Sequence, residues 1–145
     1  MRTAITSALL LLLHGAGLEA QDVVVDRPSA PIAALEGTIK SRGVWGPPGF
    51  GETPKQDSRT TIYLLKLKKA KTAAELALGA PSNRKPTRAY SEVQLFCDSI
   101  KFPRCAATVR SSVGREVTVS GRVDFAVEPT DYVPITMEVL AIQRE

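Results

Sequence analysis

Few side chains in this 145-residue chain could do chemistry, and their scarcity narrows the reactions open to it. The single histidine, His14, falls in a run that reads as an address rather than as structure. Met1-Arg2-Thr3, apolar Ala4 to Leu13 and a softer stretch ending at Glu19-Ala20 have the layout of a secretory signal: basic start, apolar centre, small residue at the cut. The apolar centre is about ten residues, short of the roughly 20 that a spanning helix needs. Cleavage is expected after Ala20, removing His14 and leaving a chain without imidazole. A Ser-His or Cys-His nucleophile pair and histidine-ligated zinc are then excluded. Catalysis would fall to carboxylates, of which Glu52, Asp57, Asp124, Glu128 and Asp131 are the candidates. A glycosidase needs two of them about 5–10 Å apart, one with a raised pKa. Their spacing selects no pair, and no Asp-rich run has calcium-loop spacing. The expectation is a protein without catalytic residues, metal or cofactor.

Cys97 and Cys105 lie eight positions apart. In an exported chain they are expected to form a disulfide, stabilising the fold by about 2–3 kcal/mol through loop closure. Redox dithiols sit two residues apart at a helix start, which this segment does not resemble.

Binding residues are easier to nominate. Gly43 to Ser58 carries four Gly and three Pro, a density that neither helix nor central strand tolerates. Long loops are usually functional or disordered, and disordered ones rarely include a Trp and a Phe. Trp45 and Phe50 therefore read as anchors for a partner, with Glu52 beside them. The alternative is that Trp45 folds back to plug a barrel end. A second segment, Glu128 to Pro134, carries Asp131 and Tyr132. Lys66, Lys68, Lys69, Lys71, Arg84, Lys85 and Arg88 make the middle of the chain basic. Lys66 and Lys68 would steer an acidic partner, although a solvated face is the commonest explanation of such a run. Nucleic acid is not expected, because stacking aromatics are sparse beside the lysines and export removes the opportunity.

These groups must be held by elements that the periodicity predicts. The chain is 43% hydrophobic and 23% charged with a net charge of +4, the composition of one globular domain. Residues 21–34 read as a lead-in broken by Pro28 and Pro31. Strands with period two follow at Leu35–Arg42, Thr60–Lys68, Ser91–Asp98, Arg115–Val127 and Ile135–Ile142. A short helix is expected over Thr72–Leu78, with a Thr72/Glu75 capping box and a stop at Gly79. A second is expected over Ala106–Val113, closed by Gly114. Gly121, inside the longest apolar strand, marks a bend. The fold class is mainly β with one or two short helices: a small five-stranded OB-like barrel over residues 35–145.

Three stretches, Leu35-Glu-Gly-Thr-Ile-Lys, Trp45-Gly-Pro-Pro-Gly-Phe-Gly-Glu-Thr-Pro and Gly114-Arg-Glu-Val-Thr-Val-Ser-Gly-Arg-Val, resemble a family of exported bacterial domains of unknown function. The resemblance runs over roughly residues 35–143 and implies a compact β domain of the cell envelope. Some domains of this kind are similar to immunity proteins, which neutralise toxins delivered by rival bacteria. The sequence-based expectation is a soluble periplasmic module that binds a protein partner, a toxin or envelope enzyme, without stable membrane insertion after signal cleavage. A binder of a small ligand or anionic envelope polymer is the first alternative, and a carboxylate cell-wall enzyme the second.

Overall fold

The computed structural model describes residues 30–79 and 88–144. The expected signal segment, the lead-in up to residue 29 and the basic loop with Arg84 and Lys85 lie outside them. Five strands form the domain: β1 (Ile32–Trp45), β2 (Arg59–Thr72), β3 (Ala89–Phe96), β4 (Glu116–Phe125) and β5 (Ile135–Arg144). One helix, α1 (Cys105–Ser111), connects β3 to β4. The strands close in the order β1-β2-β3-β5-β4, with every neighbouring pair antiparallel except β3 and β5. This is the five-stranded OB-like barrel that the periodicity predicts.

Alternation fills the interior. Leu35 and Ile39 of β1, Leu65 and Leu67 of β2, and Val93 and Leu95 of β3 meet Val117, Val119 and Val123 of β4 and Ile135, Met137 and Val139 of β5. Each such side chain, fully buried, stabilises the fold by about 1.5–3 kcal/mol. Helix α1 adds Cys105 and Val109 to this core, and Leu76 and Leu78 enter from the connection after β2. Cys97 and Cys105 are joined as a disulfide with Cα atoms 5.5 Å apart, tying the end of β3 to the start of α1. The bend is at Gly121, where the β4–β5 register shifts and a Cβ would come 2.3 Å from the Glu138 carbonyl oxygen. Among the described residues no helix is long and apolar enough to cross a membrane.

Several boundaries differ from the sequence reading. The barrel starts at Ile32, not Leu35, because Ile32 to Ala34 pair with Ser120 to Arg122 of β4, and Pro31 still accepts a bond from Val123 N–H. The pattern hid this, since Ile32 faces solvent. Strand β1 also runs on to Trp45, whose ladder with Arg59 shortens the loop to residues 46–58. The capping box forms as expected: Thr72 N–H donates to Glu75 Oε2 at 2.8 Å and Glu75 N–H donates to Thr72 Oγ1 at 3.3 Å. The helix behind it is only one 3-10 turn, Ala74–Leu76. Its stop is Ala77 in the left-handed region (φ 55°), two residues before Gly79.

Candidate functional site

Strand β2 is apolar on both faces in its first half. Leu65 and Leu67 point into the barrel, whereas Ile62 and Leu64 point out and are buried nonetheless. Their cover is the β4–β5 connection, residues 126–134. Val133 and the half-buried Tyr132 pack with Ile62, Leu64 and Val44 into a second, smaller apolar cluster. The latch is Gln94 on the outer side of β3, only 2% exposed. Its Nε2 donates to the Thr130 carbonyl at 2.9 Å, and its Oε1 accepts from Tyr132 N–H at 2.8 Å. The Tyr132 hydroxyl then donates to the Trp45 carbonyl. The loop therefore crosses the β2–β3 outer face and is fastened to β1 at the far side.

Loop 46–58 is folded around one carboxylate. Asp57 accepts from Gly49 N–H and Gly51 N–H at 2.7 Å each, from Thr53 N–H at 3.1 Å and from Thr53 Oγ1 at 2.9 Å. Burial pushes this carboxyl's pKa up, but the four donors together outweigh it and hold it below the ordinary 3.8. Trp45 is half-buried and is not among the residues that fill the barrel interior. The Arg59 guanidinium lies 3.5 Å from its ring centroid. Gly51, at φ 104°, packs so closely that a Cβ there would come 3.2 Å from Trp45 Cδ1. Phe50 is half-buried at φ 52°, and Glu52 is exposed.

The nominated residues thus divide. Trp45 and Tyr132 are brought together, and Phe50 and Glu52 share the Trp45 loop. Asp131 shapes its own loop, its Oδ2 accepting from Val127 and Glu128 N–H at 2.7 and 2.8 Å. Lys68 is ion-paired with Glu116 at 3.2 Å and Glu36 at 3.9 Å, so part of its charge is answered within the sheet. Lys66 is exposed on the same outer face, where its register neighbour Glu92 is taken by a two-pronged bond from Arg42 at 2.9 Å. Asp57, nominated as a candidate acid or base, is instead a structural acceptor. A lowered pKa is the opposite of what a general acid needs. Among the described residues no group of three or more His, Cys, Asp or Glu could hold a metal ion.

Sequence reasoning missed three features. Gln94 carried no signal beyond a polar residue between Val93 and Leu95. Arg59 became visible only through the Trp45 register. The third is the tip of the disulfide loop, where Ile100 is 90% exposed. Asp98 Oδ1 accepts the N–H groups of Ile100 and Lys101 at 2.8 and 3.2 Å, and Lys101 Nζ binds Glu138 on β5 at 2.7 Å. The chain matches no protein-family model, no curated protein and no solved structure.

Proposed function

We propose that this protein is a protein-binding module of the bacterial periplasm, an immunity or inhibitor protein directed at an envelope-acting toxin or hydrolase. Its contact surface is the rim made by loop 46–58 and the β4–β5 connection. One observation carries the reading: both loops are held in place before any partner arrives, loop 46–58 around Asp57 and the β4–β5 connection by Gln94 and the Tyr132–Trp45 bond to β1. A preorganised surface keeps the affinity that a floppy loop would lose to ordering. OB-type barrels bind linear oligonucleotides and oligosaccharides on the strand 2–3 face. Here that face is occupied over Ile62 and Leu64 by the protein's own chain, which favours a partner docking on the loops over a polymer lying along the strands. The partial pairing of Lys68 removes support from a polyanion-binding face.

The test is capture of partners from periplasmic extract, including the products of adjacent genes, with the wild-type protein and with Glu52→Lys. Glu52 is exposed on the rim, so its reversal is expected to leave the melting temperature unchanged. One stoichiometric protein partner that survives moderate salt, with its retention changed by the rim substitution, supports the reading. Failure to retain any protein, or a partner indifferent to rim substitutions, overturns it.

A further inference from the structure

The barrel closes between β3 and β5 over only three residue pairs, Gln94↔Thr136, Leu95↔Met137 and Phe96↔Glu138. Strand β3 starts five residues earlier, at Ala89. Among the described residues, Ala89–Glu92 therefore have β2 on one side, with the register shifting between Tyr90 and Glu92, and no strand on the other. Successive residues of a strand turn their N–H and C=O toward opposite edges. Part of their N–H and C=O groups therefore faces the open side, along an edge of about 13 Å.

The β4–β5 connection does not fill that edge. It stands across a slot, with several of its polar backbone groups engaged elsewhere. The Pro134 carbonyl accepts Ala126 N–H at 3.0 Å, Asp131 N–H donates to the Glu128 carbonyl at 2.9 Å, and Tyr132 N–H is held by Gln94. Pro134 has no N–H to offer. The slot consists of two hollows of about 130 and 400 Å³ that share Arg88, Val133 and Pro134 as walls. Ser91 is exposed along it. The charges around it are unequal in availability. Glu92 is taken by Arg42, and the Asp131 carboxylate is taken by two N–H groups of its own loop. Arg88 is exposed, its guanidinium 5.5 Å from the Tyr90 ring centroid, with no carboxylate partner among the described residues.

We infer that the Ala89–Glu92 edge is a strand-addition site for an extended peptide segment of another protein, its backbone completing the ladder and an acidic side chain meeting Arg88. An unpaired sheet edge is a template for such addition, and main-chain bonds supply its affinity. The inference stands apart from the rim reading, since an edge can take a peptide whether or not the loops grip a toxin.

The experiment uses isotope-labelled protein expressed from its full reading frame and the blocked peptide Thr-Glu-Val-Glu-Val-Thr as probe. Two control peptides carry Lys for Glu, or N-methyl groups at alternate backbone nitrogens. Addition to the edge predicts amide shift changes and slowed hydrogen exchange confined to residues 88–92 and 131–133. The N-methylated peptide, which keeps the charge but cannot extend the ladder, is expected to give no such protection. Arg88→Glu is expected to weaken the acidic peptide about threefold or more and to favour the Lys version, a difference that high salt removes. Equal binding by the N-methylated peptide, changes confined to loop 46–58, or no change at millimolar peptide would each overturn the inference.

Discussion

Replacing Gln94 with Leu tests whether the cover over β2 is held by the Gln94 side chain. Two hydrogen bonds to the loop backbone disappear, each worth about 1 kcal/mol net. The partner groups remain, so the half-buried Tyr132 N–H is stranded at a further cost of about 1–3 kcal/mol. Burying a leucine in the same place returns about 1–2 kcal/mol of apolar transfer. The balance is a loss of about 2 kcal/mol, or a fall in melting temperature of about 8 °C for a domain of this size. Calorimetry measures the first quantity, hydrogen exchange at the Tyr132 amide locates it, and dye binding reports exposure of Ile62 and Leu64. Gln94→Glu separates the two bonds: its carboxylate still accepts from Tyr132 N–H but cannot donate to the Thr130 carbonyl. Burial at this position pushes the introduced carboxyl above the ordinary glutamate value, so on acidification it regains a proton and should recover stability relative to wild type. A leucine variant as stable as wild type, with an unchanged Tyr132 amide, would refute the latch.

Gly121→Ala should cost about 1–3 kcal/mol, read from chemical denaturation, because its Cβ would meet backbone at Glu138 rather than a movable side chain. Ser112→Ala should be neutral or stabilising by about 1 kcal/mol in the same assay, since the Ser112 hydroxyl is buried without a hydrogen-bond partner among the described residues. The pH profile follows from linkage. Asp98 is held low by the N–H groups of Ile100 and Lys101, Glu138 by its bond to Lys101, and Asp57, against burial, by its four donors, so their stabilisation is present above the ordinary 3.8–4.5 range and lost as pH falls below it through their lowered values. Lys101 is raised above 10.5, chiefly by its bond to Glu138, and its contribution disappears as pH rises past that value. Thermal melts should therefore show a plateau between about pH 5 and 10 with losses on both sides; unchanged stability at pH 3 would contradict the carboxylate bonds.

What could be read from the sequence was whatever repeats along the chain. Val117, Val119 and Val123 alternate without interruption, and β4 was placed to within two residues at either end. Gly121 announced a bend because a glycine in such a run has few other uses. The parallel closure of β3 against β5 left no local mark, since the paired residues are about forty positions apart. Asp57 shows the same limit from the side of chemistry. Its residue type suggested an acid or base, but the four donors that settle its role come from Gly49, Gly51 and Thr53, whose N–H groups carry no sequence signal. Tyr132 was nominated for its ring, whereas its hydroxyl and amide fasten the cover.

Strand β2 carries a further clue. Ile62 and Leu64 alternate with Tyr63 and Leu65, so β2 is apolar on both sides just where a half-buried strand should turn polar. An apolar outer face must be covered, and the covering segment fixes which surface is left for a partner. A polymer-binding OB-type barrel would keep that face open and line it with aromatic or basic groups. Here the sequence supplies leucine and isoleucine, a buried glutamine and a loop that answers both of its polar atoms. Stability and accessibility of this face are consequently opposed: bonds that hold the cover also deny the strands to a ligand. On the proposed reading, binding is therefore displaced to the loops themselves and to the short length of β3 that the cover does not reach.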